Sequence, residues 1–359
     1  MSPTPKPRSI FDWKAILGIL LGVALLYWAF RDVDLHEILA ELRRADPLLF
    51  ILACALATVA FPLRAWRWRP LLEVAAPGTT FRARYAATTI GFMGNNLLPA
   101  RIGEFARAYA LARQEKTSVV AAFASLVAER LFDAMAVVIL LFTATLLPGF
   151  PEVREIAGQD FSMMATTMAA VVVGLMLACV ALVVWPKGTV RLVENRIAPF
   201  LPKAVRRPLV DALEAFLAGL SALRSPALLV LIFFQTMVIW VVNAFSFYVA
   251  FLAFDIHVPF AGALFLQSVI ALFVSLPSAP GFFGLFESAA KIVLVELFGV
   301  ELTKAVSYAV GFHIGGFIPI TVIGLYYAWR LGLSWREVEH SEEVVEDAVE
   351  HELPHTEKP

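Results

Sequence analysis

Charge is what this sequence has least of. Asp, Glu, Lys and Arg make up 16% of its 359 residues against 60% hydrophobic ones, and the mean hydropathy is +0.76. Soluble domains carry about 25% charged residues, so a water-solvated domain is excluded and an all-α polytopic membrane protein is expected. Cysteine is nearly absent as well: Cys54 and Cys179 both lie inside apolar runs, leaving neither a disulfide framework nor a cysteine metal site. No pair of His, Asp or Glu residues has convincing metal-ligand spacing, and no Gly-rich strand–turn–helix motif offers a nucleotide cradle. No metal and no cofactor are therefore expected. The start has basic residues before an apolar run, Ile16–Phe30, but no small-residue cleavage site, so it reads as a span that stays.

What is present is a series of apolar runs bounded by proline or charge. Spans are expected near 14–30, 47–63, 118–147, 163–185, 226–254 and 305–329. Two further runs, Tyr85–Leu98 and Ala261–Leu276, are too short to cross and are broken by Pro and Gly, which favours re-entrant hairpins. The expected fold is thus about six transmembrane helices plus two re-entrant hairpins. An inside N-terminus puts about 22 of the 29 Lys and Arg residues on the cytoplasmic side and about five outside. Both termini are then cytoplasmic, in the cell (inner) membrane. Residues 1–12 and the acidic tail 331–359 read as disordered or loosely helical. Asp34–Asp46 reads as an amphipathic helix on the outer surface, and 186–225 as a cytoplasmic connector with a surface helix, Pro208–Leu223. The basic-aromatic run RAWRWRP, Arg64–Pro70, suits an anionic inner leaflet, and no nucleic-acid partner is expected.

Polar groups that a bilayer should exclude concentrate between Gly91 and Asp133. Glu129 and Asp133 share a helix face, while Arg130 points about 100° away and cannot neutralise both. Each charge at a helix centre costs roughly 2.5–3.5 kcal/mol, so this span needs polar partners, and Arg101 and Arg107 are the candidates. At the first break, marked by Pro99 and Gly103, Asn95 and Asn96 either satisfy freed backbone groups or meet a ligand. Arg101 and Arg107 flank a helix start suited to phosphate, or they anchor the chain at the interface. Glu104 either orients these arginines or neutralises them.

A weak internal repeat relates 84–147 to 261–329. Both begin with a short helix ending in Leu-Pro, followed by glycine, a glutamate and a basic residue, Arg107 or Lys291, then a full span. Under the charge-derived layout the two copies are inverted; chance likeness of two Pro/Gly breaks is the alternative. Pro277, Pro280, Gly281 and Gly284 mark the second break. Glu287 and Lys291 form an i,i+4 pair there that is either structural or part of a headgroup site. His313, in GFHIGG, is either a packing residue or a proton relay.

At GNNLLPARIGEFARAY, VAERLFD and LPSAPGFFGLFESAA the chain resembles the lysylphosphatidylglycerol synthase transmembrane (flippase-like) family, which includes the flippase half of the bacterial multiple peptide resistance factor. The likeness covers roughly Trp13–Trp329, within a domain set at 13–330. It implies paired hairpins around a lipid-headgroup cavity and movement of aminoacylated phospholipid between leaflets. Ending near residue 359, the chain leaves no room for a cytosolic aminoacyltransferase domain, so synthase activity is not expected. The expected function is a non-enzymatic lipid translocase for an anionic, aminoacylated or phosphate-bearing lipid. An enzyme of lipid-phosphate chemistry and a non-transporting lipid-binding scaffold are the alternatives.

Overall fold

A computed structural model describes residues 13–73, 76–99, 101–151, 185–197, 225–275 and 279–351, with isolated positions between 155 and 174. The expected disorder of 1–12, nearly all of the span at 163–185, the surface helix at 208–223, Pro277 and the last residues, 352–359, lie outside the described residues.

Helix α1 (Trp13–Phe30) meets α2 (Leu35–Arg44) at 79°. Asp34 sets the corner, its carboxylate accepting from the His36 N–H as an N-cap. Helix α3 (Pro47–Leu72) starts with proline at its first position and an Asp46 cap that accepts from the Leu48 and Leu49 amides. It runs nine residues past the expected end at 63, because Arg67 is fully buried rather than placed in an interfacial layer. Helices α4 (Phe81–Leu97) and α5 (Gly103–Glu115) form the first hairpin, and α6 (Val119–Leu146) follows from a Ser118 cap. A pair of two-residue strands joins Glu155–Ile156 to Gln159–Asp160. The short α7 (Pro186–Leu192) precedes α8 (Pro226–Ala253). Helices α9 (Phe260–Phe273) and α10 (Leu285–Lys291, running on as a π-helical turn through Leu297) form the second hairpin, and α11 (Leu302–Arg330) follows from a Glu301 cap.

By length and composition, three described helices can cross a membrane, α3, α8 and α11, or four if the bent α1–α2 pair is one span. That is fewer than the six expected. Helix α6 has the length, at 28 residues, but carries Glu129, Arg130 and Asp133. Side chains left open on the long helices are apolar, among them Leu48 and Ile51 on α3, Val230 and Phe234 on α8, and Ile318 and Val322 on α11. Such faces are stable only against lipid or another apolar surface.

The long helices α3 and α8 run antiparallel. The Asp46 amide donates to the Ala253 carbonyl at one end (2.8 Å), and Arg67 donates to Thr236 toward the other (2.9 Å). The two hairpins each return to the end from which they start. Thr80, before α4, donates through both its amide and its hydroxyl to Glu115 at the end of α5, while Lys304, past α10, pairs with Asp255, before α9, at 3.2 Å. Packing across the halves is reciprocal. Helix α11 lies along α4, with Tyr327 against Tyr85 and Gly324 against Thr89 and Met93; α6 lies along α9, with Gly149 against Pro259 and Phe150 against Phe265.

Backbone landmarks recur at one spacing. Left-handed residues stand at Arg101 (φ 58°) and Gly284 (φ 89°), and at Lys116 (φ 52°) and Gly299 (φ 66°). The helix caps Ser118 and Glu301 follow. Each pair is 183 positions apart: 101 to 284, 116 to 299, 118 to 301.

Where it is described, the tail takes the helical alternative of its reading rather than the disordered one. Residues Trp335–Glu339 and Ser341–His351 form α12 and α13, which pack on α5 and α6. A Ser334/Glu337 capping box starts α12. Glu337 also receives Arg113 of α5, which holds the tail helix in place.

The first hairpin closes on glycine. A Cβ at Gly103 would collide with the Gly91 carbonyl and the Asn95 amide, whereas one at Gly316 would meet nothing within 4 Å. Gly103→Ala should therefore lower stability by at least ~1–3 kcal/mol through overpacking. Gly316→Ala, in a helix interior, should be neutral or raise it by up to ~1 kcal/mol. Thermal unfolding of the detergent-purified variants checks this, and equal shifts in both would show that the hairpin is not closely packed at Gly103.

Candidate functional site

The site begins with two carboxylates one turn apart on α6. Asp133 Oδ1 accepts from Arg67 Nη1 at 2.6 Å and from the Trp240 indole at 3.0 Å, and Oδ2 accepts from Arg64 Nη1 at 3.3 Å. Glu129 receives a two-point grip from Arg107, Nη1 to Oε1 at 2.8 Å and Nη2 to Oε2 at 3.0 Å. Arg67 reaches Glu129 as well, at 3.2 Å, so one guanidinium spans both acids. Planar forks of this kind match carboxylates at two points, which a lysine cannot do. Arg107 also lies over the Trp68 ring at 4.1 Å, and the Trp68 indole donates to Ser125.

Side-chain burial grades across this cluster. Arg67 and Glu129 are 0% exposed and Arg107 1%, but Arg64 is 13%, Glu104 25% and Arg130 41% exposed. Arg130 is the outward edge. Its side chain curls back to Glu129 (2.8 Å), comes within 3.5 Å of Asp133 and stands 3.8 Å from Glu104. The helical wheel, which put Arg130 on another face, ignored the reach of a long side chain. Four guanidinium groups, of Arg64, Arg67, Arg107 and Arg130, thus face three carboxylates, of Glu104, Glu129 and Asp133. The cluster keeps an excess of positive charge, and the Nε atoms of Arg67, Arg107 and Arg130 are buried without a partner among the described residues.

The expected partners of the α6 acids are therefore half corrected. Arg107 meets Glu129, but Arg101 meets neither acid. It crosses instead to the second break, donating to the Val274 carbonyl at the end of α9 and lying 5.7 Å from the Phe282 ring. Arg64 and Arg67, expected in the inner-leaflet layer, fill the place. Arg64, Arg67 and Trp68 sit at helical i, i+3, i+4 positions on one face of α3, a spacing that could have marked them. Trp240 and Thr236 carried no such signal, because their contacts cross more than a hundred residues of sequence.

At the first break Asn96 donates to Thr321 of α11 at 2.8 Å, while the Asn95 side-chain oxygen is buried without a partner among the described residues. Pro99 and Gly103 bracket the turn between α4 and α5. At the second, Pro280, Gly281 and Phe282 make a 3₁₀ turn, and Gly284 caps α10 with its amide donating to Glu287 Oε2 at 2.7 Å. Glu287 and Lys291 form no pair with each other. Glu287 Oε1 faces His313 Nδ1 at 2.7 Å, and Lys291 donates to the Trp28 carbonyl of α1 at 3.0 Å beside Asp32. A buried carboxylate and a buried ammonium each take the nearest polar group, and here α1 and α11 supply better ones than the i,i+4 neighbour. The His313 Nε2 stands 2.9 Å from the Gly281 carbonyl.

This arrangement matches the membrane-protein pattern of ionisable side chains gathered inside a helix bundle around broken helices. A family model described as the lysylphosphatidylglycerol synthase TM region matches residues 15–324. The chain belongs to that family. As a member of the lysylphosphatidylglycerol synthase TM family it is a multi-pass membrane protein with a lipid-related role. It is similar to glycosyltransferase AglD of Haloferax volcanii, 25% identical over 331 residues, 86% of this chain and 53% of that protein. It is also similar to a UPF0104 membrane protein of Methanothermobacter thermautotrophicus, 25% identical over 352 residues, 90% of this chain and 97% of the relative. The chain spans about half the length of the Haloferax protein.

Breaking one side of the buried network leaves the other charge uncompensated, at a cost of ~3–5 kcal/mol. Asp133→Asn and Arg67→Gln should each destabilise on that scale, and the double variant should fall short of their sum by ~0.5–3 kcal/mol. Asp133→Asn with Arg101→Gln should be additive within ~0.5 kcal/mol. Unfolding of the three single variants, Arg101→Gln included, and the two double variants in detergent measures both couplings, and additivity of the Asp133/Arg67 pair would remove that ion pair from the network.

Proposed function

We propose that this chain translocates a lipid with an anionic, phosphate-bearing headgroup between leaflets. The observation that carries the proposal is the open, cationic edge of the buried network. Arg130 is 41% exposed at a cluster with more guanidinium than carboxylate, and Arg101 stands at the neighbouring break with its Nε unpartnered among the described residues. Both lie near the start of α5, which has no side-chain cap and whose positive dipole end adds attraction for an anion. Arg107, sealed against Glu129 and Trp68, serves to hold the network. The phosphate site is assigned to Arg101 and Arg130, with Glu104 between them as the group a ligand displaces. Aminoacylated phospholipids and lipid-linked phosphates share the required headgroup chemistry.

In this proposal α3–α6 and α8–α11 are inverted repeats, and each hairpin re-enters the membrane from one face. The antiparallel α3–α8 pair, the reciprocal packing of α4 on α11 and α6 on α9, and the constant spacing of backbone landmarks support it. So do the polar closures at the hairpin bases, Thr80 to Glu115 and Asp255 to Lys304. Alternate loosening of the two breaks would expose the cationic edge to one leaflet and then the other. Both termini are assigned to the cytoplasm of the cell membrane.

Reconstituted vesicles with labelled anionic and zwitterionic lipids test the function. Loss of a charged hydrogen bond costs ~1.5–3 kcal/mol, so Arg101→Gln and Arg130→Gln should each weaken anionic-lipid binding by roughly tenfold to a hundredfold and slow transfer. Arg101→Lys should recover little, because an ammonium lacks the fork. Wild-type transfer in folded glutamine variants would overturn the site. Binding without transfer would favour a lipid-binding scaffold, and release of inorganic phosphate an enzyme.

A further inference from the structure

The two halves carry a carboxylate–cation pair at matching positions. Glu104 on α5 faces Arg130 on α6, and Glu287 on α10 faces His313 on α11. Each residue of the second pair lies 183 positions after its counterpart, 104 to 287 and 130 to 313, the separation that also relates the helix caps and left-handed turns. In both, the return arm of a hairpin is fastened to the span that follows it. The difference is chemical. Arginine keeps its charge at every accessible pH, whereas imidazole titrates near neutrality.

A count of donors fixes what the second pair must hold. His313 presents Nδ1 to Glu287 Oε1 at 2.7 Å and Nε2 to the Gly281 carbonyl at 2.9 Å. A carbonyl oxygen only accepts, so Nε2 must carry a hydrogen. An ionised carboxylate also only accepts, so the short Nδ1–Oε1 contact needs a second proton, on the ring or on the acid. Remove it, and a ring lone pair faces either the carboxylate or the carbonyl. Glu287 is 2% and His313 10% exposed in the side chain, so water does little to relieve that contact. Stacking of the ring on Phe286, with centroids 4.4 Å apart, and its contact with Phe283 hold the imidazole in this position.

We propose that Glu287 and His313 form a proton-binding clasp on the second break. With the shared proton bound, His313 ties Gly281 to α11 and Glu287 caps Gly284. When the proton leaves, the tie to Gly281 is lost and the 279–284 turn opens. The other charged groups around the clasp are occupied elsewhere. On α10, Lys291 is held by Trp28 and Asp32, and from the first break Arg101 lies over Phe282. Helix α3 brings Cys54 against Gly315, and α2 brings Leu42 against Gly311. Helix α4 presents the neutral Asn96 to Phe317 and Thr321, and α8 presents Phe247 to Phe312. From α9 and α1 no charged side chain bonds to either member among the described residues. The clasp stands on this geometry alone; only its consequence, that proton release opens a path for a headgroup, rests on the translocase proposal.

Hydrogen–deuterium exchange of the full chain in lipid nanodiscs, corrected for intrinsic exchange, tests the clasp between about pH 5 and about pH 8, where imidazole titrates. Opening with loss of one proton makes protection of 279–285 fall by up to about tenfold per pH unit as pH rises. His313→Arg, which copies the permanent cation of the first half, should hold the turn closed across the range. Glu287→Gln should also keep it closed at the alkaline end, since its amide can donate to Nδ1 while its oxygen still accepts from Gly284. Flat protection in the wild type, or an unchanged pH profile in both variants, overturns the proposal. Either variant suffices if the other fails to fold. A normal pH response without lipid transfer would sink the translocase and keep the clasp; transfer with flat protection would do the reverse.

Discussion

Two carboxylates on one face of α6 constrain everything around them. Glu129 and Asp133 are removed from water, and an isolated buried carboxylate is tolerated only when cations and hydrogen-bond donors surround it. No single helix can supply them, so α3 contributes Arg64 and Arg67, α5 contributes Arg107, and α8 contributes Trp240. Four helices are thereby fixed relative to one another by polar contacts rather than by burial of apolar surface, which drives little association where the surroundings are equally oily. The apolar residues then fill the space that the ion pairs define. Phe247, Phe251, Tyr308 and Phe312 do so in one cluster, and Trp68, Ile90 and Leu111 in the other.

The hairpins depend on this frame. A helix that stops inside an apolar region leaves carbonyl and N–H groups without partners, and each break here is met by a different device. The first uses an asparagine and glycines that bring α4 and α5 close; the second uses Glu287 as the cap of α10 and a histidine as a clamp. Both return arms end in a left-handed residue before the next cap, Lys116 in one half and Gly299 in the other. The two hairpins thus share the position of their left-handed residues and caps and differ in the side chains that face the breaks.

Helix extents were legible where apolar runs ended at proline or charge. The ends of α1, α6, α8 and α11 fall within about three residues of the expected spans, the usual margin for element boundaries. The end of α3 lies beyond residue 63 because Arg64 and Arg67, which by sequence suit an interfacial layer, are interior residues whose partners stand on α6. The acids of the network were legible too, since three charges in one apolar run demand explanation. Their partners were not all legible, because Asp133 and Arg67 are 66 residues apart and Asp133 and Trp240 are 107 apart, and local spacing carries no information on such pairs. Glu287 and Lys291 show the converse error: correct helical spacing, but stronger partners in three dimensions. The tail reads as acidic and disordered or loosely helical, and its docking rests on Glu337 finding Arg113 across 224 residues.

Arg101 belongs by sequence to the first break and by its hydrogen bond to the second. A guanidinium that caps Val274 leaves that half-buried carbonyl without its donor when it turns elsewhere, at up to about 1–3 kcal/mol, the figure for a fully buried polar group. The two breaks therefore have linked free energies, and whatever draws Arg101 away loosens the end of α9 by the same amount that the end of α9 resists it. A molecule with this tie does not have two independent doors; it has one strap buckled across both, so that the pull on one is felt as slack in the other.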